Sequence, residues 1–526
     1  MADNSDIVII GSGHNSLVTA AYLAKAGKKV TVLERQPWFG GGVVTRDLTL
    51  PGFHHDQHSM AHIFIQANPL IKNDELGLMS KYGMKYTYPE MPTISVFPDG
   101  ETIPLWRDRQ KNYRELARFS KKDAESYLKF AELAAGYLPL VTGGMFSPPA
   151  PVGAMYAMMD QSREGRAMFR TMQKSGYDII TEWFENDRVR LHLLRIVSEH
   201  LVGPEEKGTG LGLFVFLAFL EQYGIGVPVG GSGTLTRGLA KLLEDNGGQV
   251  ITGVDCDRVI VSGGRAAGVR AKDGREFMAK DGVVGAIHPH DIGAFVAGID
   301  PQVAADAAKT EIGANCVFTI HAALNEPLKF KAGDHVGKAM MIELLPPSLD
   351  HLREHFDDLR YGRMPRSRLV GLGSPSNLDP SRAPAGKATM HAWDYCPYEH
   401  PQGGHEAWDA KKKEFADSML DHMGGFISNL TGANILAHHD DTPLDMERTS
   451  SSFRRGDIHG IAPNAYQSGA HRPTPELGNY TVPGVERLYL VGPFQHPGGG
   501  VIGAGRATAI KMFDDMRLNF DKIAAK

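Results

Sequence analysis

The chain has 526 residues, 42% hydrophobic and 22% charged, with a formal net charge of −5. That length predicts two or more domains around ordinary buried cores, and neither the charge balance nor any dense Lys/Arg run offers a nucleic-acid partner. Cys256, Cys316 and Cys396 lie far apart in no CxxC or Cys/His spacing, which excludes a disulfide scaffold and makes a reducing, cytoplasmic compartment the expectation. No basic stretch with an apolar core and cleavage site opens the chain.

Residues 6–10, DIVII, form a short β-branched apolar run of the kind a fully buried parallel strand needs. It runs into Gly11-Ser12-Gly13-His14-Asn15-Ser16, then a helix-patterned stretch through Leu17, Ala20, Leu23 and Ala24, with Gly27 at the C-terminal cap position. A second strand, 29–33, ends at Glu34. In this βαβ unit Gly11 permits the tight turn, and Gly13 lets the backbone approach a pyrophosphate where a helix N-terminus favours negative charge. Glu34 lies about 20 residues past the glycines, where a carboxylate accepts from an adenosine ribose hydroxyl and repels a 2′-phosphate. The third glycine of the fingerprint is replaced by Ser16, small enough for close helix–strand packing. Arg35 then leads to Gly40-Gly41-Gly42-Val43, a second glycine cluster that lets the chain wrap a ligand longer than NAD; this favours FAD.

Residues 53–62, FHHDQHSMAH, are the most loaded polar stretch. His54, His58 and His62 are four apart, which on a helix would align them as metal ligands. Pro51-Gly52 precedes them and argues against a helix, so no metal is expected, and Asp56, His58 and His62 are candidate catalytic groups. Histidine takes a proton near neutral pH without a large pKa shift.

Residues 76–224 read as mostly helical, with an apolar stripe at Val189, Leu193 and Val197. The run Met145, Met155, Met158, Met159, Met168 and Met172 would suit a flexible apolar channel or ordinary packing. The longest apolar run, 211–220, is about half of the ~20 residues needed to span a bilayer and reads as a buried segment. A peripheral membrane contact and a homo-oligomer stay open. Residues 227–236, VPVGGSGTLT, lead into an amphipathic helix through Leu239, Leu242 and Leu243, then a strand to Val254 and a β-rich excursion returning at 282–289. At the far end, strand 487–491 meets Gly492, and Gly498-Gly499-Gly500-Val501-Ile502-Gly503 opens a final helix, a second glycine loop able to close on a nucleotide.

The motifs GSGHNSLVTAAYLAKAGKKVTVLER, GGGVVT, PGFHHDQHS, VPVGGSGTLTRGLAKLLEDNGG, TPLD and VGPFQHPGGGVIGAG, in this order and spacing, resemble the phytoene desaturase-like FAD oxidoreductases, in the branch of the pyridine nucleotide-disulphide oxidoreductase domain 2 proteins. The resemblance implies an α/β fold: a Rossmann-like FAD-binding domain of the two-dinucleotide-binding, amine-oxidase type with a discontinuous α+β substrate domain. It implies FAD held by Gly11, Ser12, Gly13, Asn15, Ser16, Glu34, Arg35, Gly40, Gly41, Gly42, Val43, Val254, Gly492, Gly500, Val501 and Ile502, with Val254 meeting the adenine through its backbone; since no Cys lies in either glycine loop, non-covalent attachment is expected. The expected division is 1–75, 225–300 and 475–526 for FAD and 76–224 and 301–474 for substrate.

The function expected is hydride removal from a largely apolar small molecule, isoprenoid-like or carboxylate-bearing, by a CH–CH-acting oxidoreductase. Arg107, Arg109, Arg455 and Arg472 are candidates to read a carboxylate. O2, a quinone or another carrier would reoxidise the flavin, since no second glycine fingerprint for NAD(P) is present. The alternatives are an amine- or alcohol-type flavin oxidase, or a non-catalytic lipid or prenyl-protein escort on the same fold.

Overall fold

The structure, a computed structural model, describes residues 5–525 with the exception of 200. The first strand, β1 (Ser5–Ile10), lies between β2 (Val30–Leu33) and the strand Glu276–Gly285, parallel to both, with Ile7 opposite Val30 and Gly282. Gln249–Ile251 extends the sheet beyond β2, and Leu488–Leu490 extends it beyond Glu276–Gly285, both again parallel. Residues 7–10 and 30–33 are buried along their whole length because helices cover one face, over Ile7, Ile9, Val30 and Val32, and the antiparallel strands 256–271 cover the other, over Val8, Ile10 and Leu33, which is why they read as continuous apolar runs rather than alternating ones. The early half of Glu276–Gly285 also pairs antiparallel with Arg265–Ala271, which pairs with Cys256–Ser262. That is the β-rich excursion.

Three helices complete this unit. The helix α1 (His14–Lys25) is flanked by Gly233–Asp245 and Ala504–Asp515. Leu17, Leu239 and Met512, each fully buried or nearly so, share one core. The approach of the C-terminal helix is set by Gly505, where a Cβ would lie 2.2 Å from the Asn15 carbonyl oxygen. Ser16, 1% exposed, fits the same crowded face.

A second sheet of seven strands has the order 435–441, 316–324, 388–396, 371–373, 341–344, 93–96, 102–105. Its strands come from both halves of the chain flanking the 225–300 insertion. Cys316–Leu324 and Ala388–Cys396 are buried throughout, antiparallel, with Thr319 opposite Trp393 and His321 opposite His391. Helices Lys121–Met145, Asp187–Ser198 and Gly210–Gln222 pack beside it, with Phe130 stacked on Phe214 at 4.1 Å. The apolar run 211–220 is the buried centre of the last of these. Among the described residues no helix is long and apolar enough to cross a membrane. The fold is α/β, a Rossmann-like unit joined to an α+β unit, as the motifs predict.

The two units are pinned by a buried ion cluster. The Arg382 guanidinium meets Asp56 Oδ2 and lies 3.3 Å from Asp379 Oδ2, all three side chains essentially inaccessible. Asp56 Oδ1 also accepts from Thr45 Oγ1 at 2.6 Å and from the Ser232 amide at 2.8 Å, while Asp379 accepts from the Gly230 amide at 2.7 Å. One arginine therefore locks the 45–56 hairpin to the loop before Gly233–Asp245.

Candidate cofactor and substrate site

One elongated cavity of about 580 Å3 runs from the glycine turn after β1 to the buried face of the second sheet. Its first end is lined by Gly11, Ser12, Gly13, Asn15 and Ser16. Gly11 has φ +83°, and a Cβ there would lie 3.1 Å from the Ala286 side chain. Gly13 caps α1, and a Cβ on it would meet no atom within 4 Å; it would project into open cavity. The first turn of α1 carries no acidic residue, so its free amide N–H groups face the cavity with the positive end of the helix dipole. A diphosphate fits this mouth.

Glu34 and Arg35 line the next stretch. The Glu34 carboxylate is held by the Ser12 amide (2.9 Å) and hydroxyl (2.5 Å) through one oxygen and by the Gln36 amide (2.8 Å) through the other, so it is fixed at the ribose position. Val254 lines the cavity too, but its amide donates to the Glu34 carbonyl at 2.7 Å. A backbone contact from Val254 to an adenine would therefore come from its carbonyl. Further on, Gly41, Gly42, Val43, Gly492, Gly500 and Val501 form two facing loops around the space for a flat ring. A Cβ on Gly42 would sit 2.8 Å from Phe453, and one on Gly41 3.0 Å from Gly13 Cα.

Two members of the expected set serve the loops rather than the cavity wall. Gly40 bridges Gly13, its amide donating to the Ser12 carbonyl at 3.1 Å. Ile502 points its carbonyl at Asn68 Nδ2, 2.8 Å away, and packs on the helical core. Asn15 does both, lining the cavity while its Oδ1 accepts from the Gly505 amide at 3.1 Å.

The 54–62 segment is not helical. His55–Asp56 is a strand paired with Thr45–Arg46, so the four-residue spacing never becomes a shared face. His54 is outward, 2.6 Å from Asp47. His62 is buried with Nδ1 2.8 Å from the Tyr86 hydroxyl, and Asp56 belongs to the ion cluster; neither lines the cavity. Only His58 of the three catalytic candidates does, its ring edge-on to Phe453 at 5.0 Å. Burial holds its imidazole down to about 4, so it is neutral at pH 7 and only a weak base.

The far end of the cavity is a chamber walled by Phe64, Phe216, Val317, Met341, Trp393 and Tyr395. None of these was singled out from sequence. The signal that existed is strand alternation: 317 and 319, and 391, 393 and 395, lie on one face of a paired sheet. The predicted methionine run is elsewhere. Met158 is 52% exposed on the hairpin of helices Val152–Asp160 and Arg163–Gln173, and the methionines of the chamber are Met60 and Met341. The four candidate arginines are also elsewhere: Arg109 pairs with Glu221, Arg455 with Glu399, Arg107 reaches the Gln222 carbonyl, and Arg472 donates to four backbone carbonyls. Glu199 stands at the chamber edge, engaged by Arg195 and the Tyr395 hydroxyl.

A cleft with a glycine turn at a helix N-terminus, a fixed ribose carboxylate and a second glycine loop defines a dinucleotide-binding flavoprotein. Comparison with known proteins agrees. Residues 6–181 match the FAD dependent oxidoreductase family. Over 97% of its length the chain is 28% identical to pyridine nucleotide-disulfide oxidoreductase domain-containing protein 2 of Rattus norvegicus, covering 94% of that protein. It is 27% identical to one of the subunits of the limonene dehydrogenase of Castellaniella defragrans, covering 98% of this chain and 95% of that one. It is 25% identical to a lycopene-forming phytoene desaturase of Pseudescherichia vulneris, covering 97% and 99%. In fold it is similar to an oxidoreductase from Methanosarcina mazei (TM-score 0.61, 17% identity, 97% and 99% covered) and to cyclohexylamine oxidase from Brevibacterium oxydans (0.59, 16%, 98% and 99%). The chain is similar to FAD-dependent oxidoreductases, over residues 6–181 by the family match and over nearly its whole length by these relatives, and its cofactor is FAD.

Attachment of that FAD should be non-covalent. Among the described residues the one cysteine on the cavity, Cys256, sits beside Val254 at the ribose–adenine end, and burial pushes its thiol up to about 12, leaving no thiolate to react. Acid precipitation of the purified protein should leave the yellow colour in the supernatant; a yellow pellet would contradict this.

Proposed function

We propose that this oxidoreductase removes hydride from a C–H bond of a largely apolar small molecule and introduces a C=C bond. The observation that carries the reading is the chamber itself, apolar and aromatic, continuous with the cofactor cleft and closed off by the second sheet. The full-length likeness to a phytoene desaturase and to a component of a limonene dehydrogenase supports a hydrocarbon-like substrate and CH–CH chemistry. When bound, FAD supplies the hydride acceptor at N5 and passes the electrons to O2, a quinone or another carrier.

The chain's own residues have three tasks. The chamber walls orient the reacting carbon and exclude water. The Gly498–Gly500 loop, which lines the cavity at Gly499 and Gly500, would offer backbone amides to stabilise negative charge on the bound cofactor. His58, neutral and inside the cavity, accepts the proton that leaves with the hydride. The chemistry is tested by product analysis. Incubation with terpene hydrocarbons, alcohols and amines should yield products with a new C=C bond. Carbonyl products from the alcohols or amines alone would replace CH–CH chemistry with oxidase chemistry.

His58→Ala should keep the fold and the flavin while slowing flavin bleaching by substrate roughly 10²–10⁴-fold, mostly in kcat. Stopped-flow absorbance checks this. Near-normal bleaching would remove His58 from the proton path.

A further inference from the structure

The chamber is not uniformly apolar. Thr319 and His391 lie on the central antiparallel pair of the second sheet, 3% and 6% exposed, and both line the cavity. Thr319 pairs with Trp393 and His391 with His321, which makes Thr319 and His391 diagonal neighbours on one face, close enough for a single small group to touch both. Among the described residues, neither the Thr319 hydroxyl nor His391 Nδ1 has a hydrogen-bond partner. Buried polar atoms are almost always satisfied, and leaving one unmade costs about 1–3 kcal/mol. A hydrophobic residue at either position would have completed the apolar wall without that cost.

We infer that Thr319 and His391 form a polar subsite in the apolar chamber that takes a neutral oxygen function, a hydroxyl or carbonyl, of the substrate. The inference rests on the proposed reading of the chamber as an apolar substrate site and adds one polar feature to the substrate it takes. A hydroxyl and a neutral imidazole offer both a donor and an acceptor, which matches an alcohol, and two donors, which matches a carbonyl. Charge argues against the ionic alternatives. Thr319 has Asp441 as its partner on the other neighbouring strand, and that carboxylate, already engaged by Gln57 and His439, would repel a bound carboxylate. Asp441 would draw an ammonium by the same charge, but it does not line the cavity and both its oxygens are already engaged, and Glu199, elsewhere on the cavity, is tied to Arg195. The His391 imidazole is uncharged at pH 7, since burial holds it down to about 4. Its ring lies 4.3 Å from that of His321, tilted by 38°, which limits its rotation.

The test titrates the purified holoenzyme anaerobically with five ring compounds of similar size: methylcyclohexane, cyclohexanol, cyclohexanone, cyclohexylamine and cyclohexanecarboxylate. Perturbation of the flavin absorbance reports binding. Cyclohexanol and cyclohexanone should bind about tenfold tighter than methylcyclohexane, the size of one neutral hydrogen-bonded pair. Thr319→Val and His391→Phe, close in volume to the residues they replace, should each erase that preference and leave methylcyclohexane binding intact, and Thr319→Ser should keep it. Equal binding of hydrocarbon and alcohol overturns the subsite alone, meaning only water satisfies it. So does tightest binding of the amine or carboxylate, or an alcohol preference that survives both substitutions. If no probe binds a protein that holds its flavin, the apolar-chamber reading fails along with the subsite.

Discussion

A Gly13→Val chain should fold, purify colourless and fail to recover its flavin when FAD is added. The reason is local. A Cβ at Gly13 meets nothing in the protein, so valine costs the fold little, but its methyl groups would project into the mouth where the diphosphate must approach the α1 N-terminus. Binding should weaken by more than about 100-fold, and the melting temperature should drop to that of flavin-stripped wild type, because ligand at 100 times Kd contributes about 2.7 kcal/mol. Flavin absorbance per mole of protein and a thermal melt with and without added FAD check both. A yellow variant melting like the wild type would displace the diphosphate from this loop.

Replacing Arg382 has a larger structural effect. Arg382→Met removes the guanidinium between Asp56 and Asp379 and leaves buried carboxylates without a counter-charge, a loss of about 3–5 kcal/mol. The pH dependence should reverse as well. Burial pushes the Asp56 carboxyl up, but Arg382, Thr45 and the Ser232 amide together more than reverse this and hold it below the usual carboxylate value. In the wild type this group therefore contributes stability that is present above the ordinary carboxylate pKa and lost as pH falls through the depressed one. In Arg382→Met burial dominates and the pKa is raised. Stability then improves as pH falls through that raised value and is lost as pH rises. Denaturant melts at pH 5 and pH 8 should show the variant less destabilised at the lower pH. Equal losses at both would contradict the ion cluster as the lock between the units.

The nucleotide half was legible because its constraints are local. A strand buried on both faces must be continuously apolar, a turn at φ +83° selects glycine at Gly11, and the ribose acid Glu34 follows at a fixed distance along one βαβ unit. The substrate half was opaque because its partners are distant in sequence. Asp56 looks catalytic in FHHDQHS, yet its partner Arg382 lies in another segment and no spacing announces it. The histidine spacing of four would align on a helix, but Pro51-Gly52 argues against one, and pairing of 55–56 with 45–46 makes the segment extended, so His54, His58 and His62 separate to surface, cavity and core. Thr319 and His391 come together only through the register of two strands.

The central claim, a flavin reduced directly by an apolar substrate, is tested most directly by anaerobic mixing of the yellow holoenzyme with terpene hydrocarbons and their alcohols. At least one compound should bleach the oxidised-flavin band completely, with one equivalent of dehydrogenated product formed per flavin, and readmitted O2 or a quinone should restore the colour. If the flavin stays oxidised with every apolar compound and bleaches only with charged polar ones, the chamber is not the substrate site and the account is wrong.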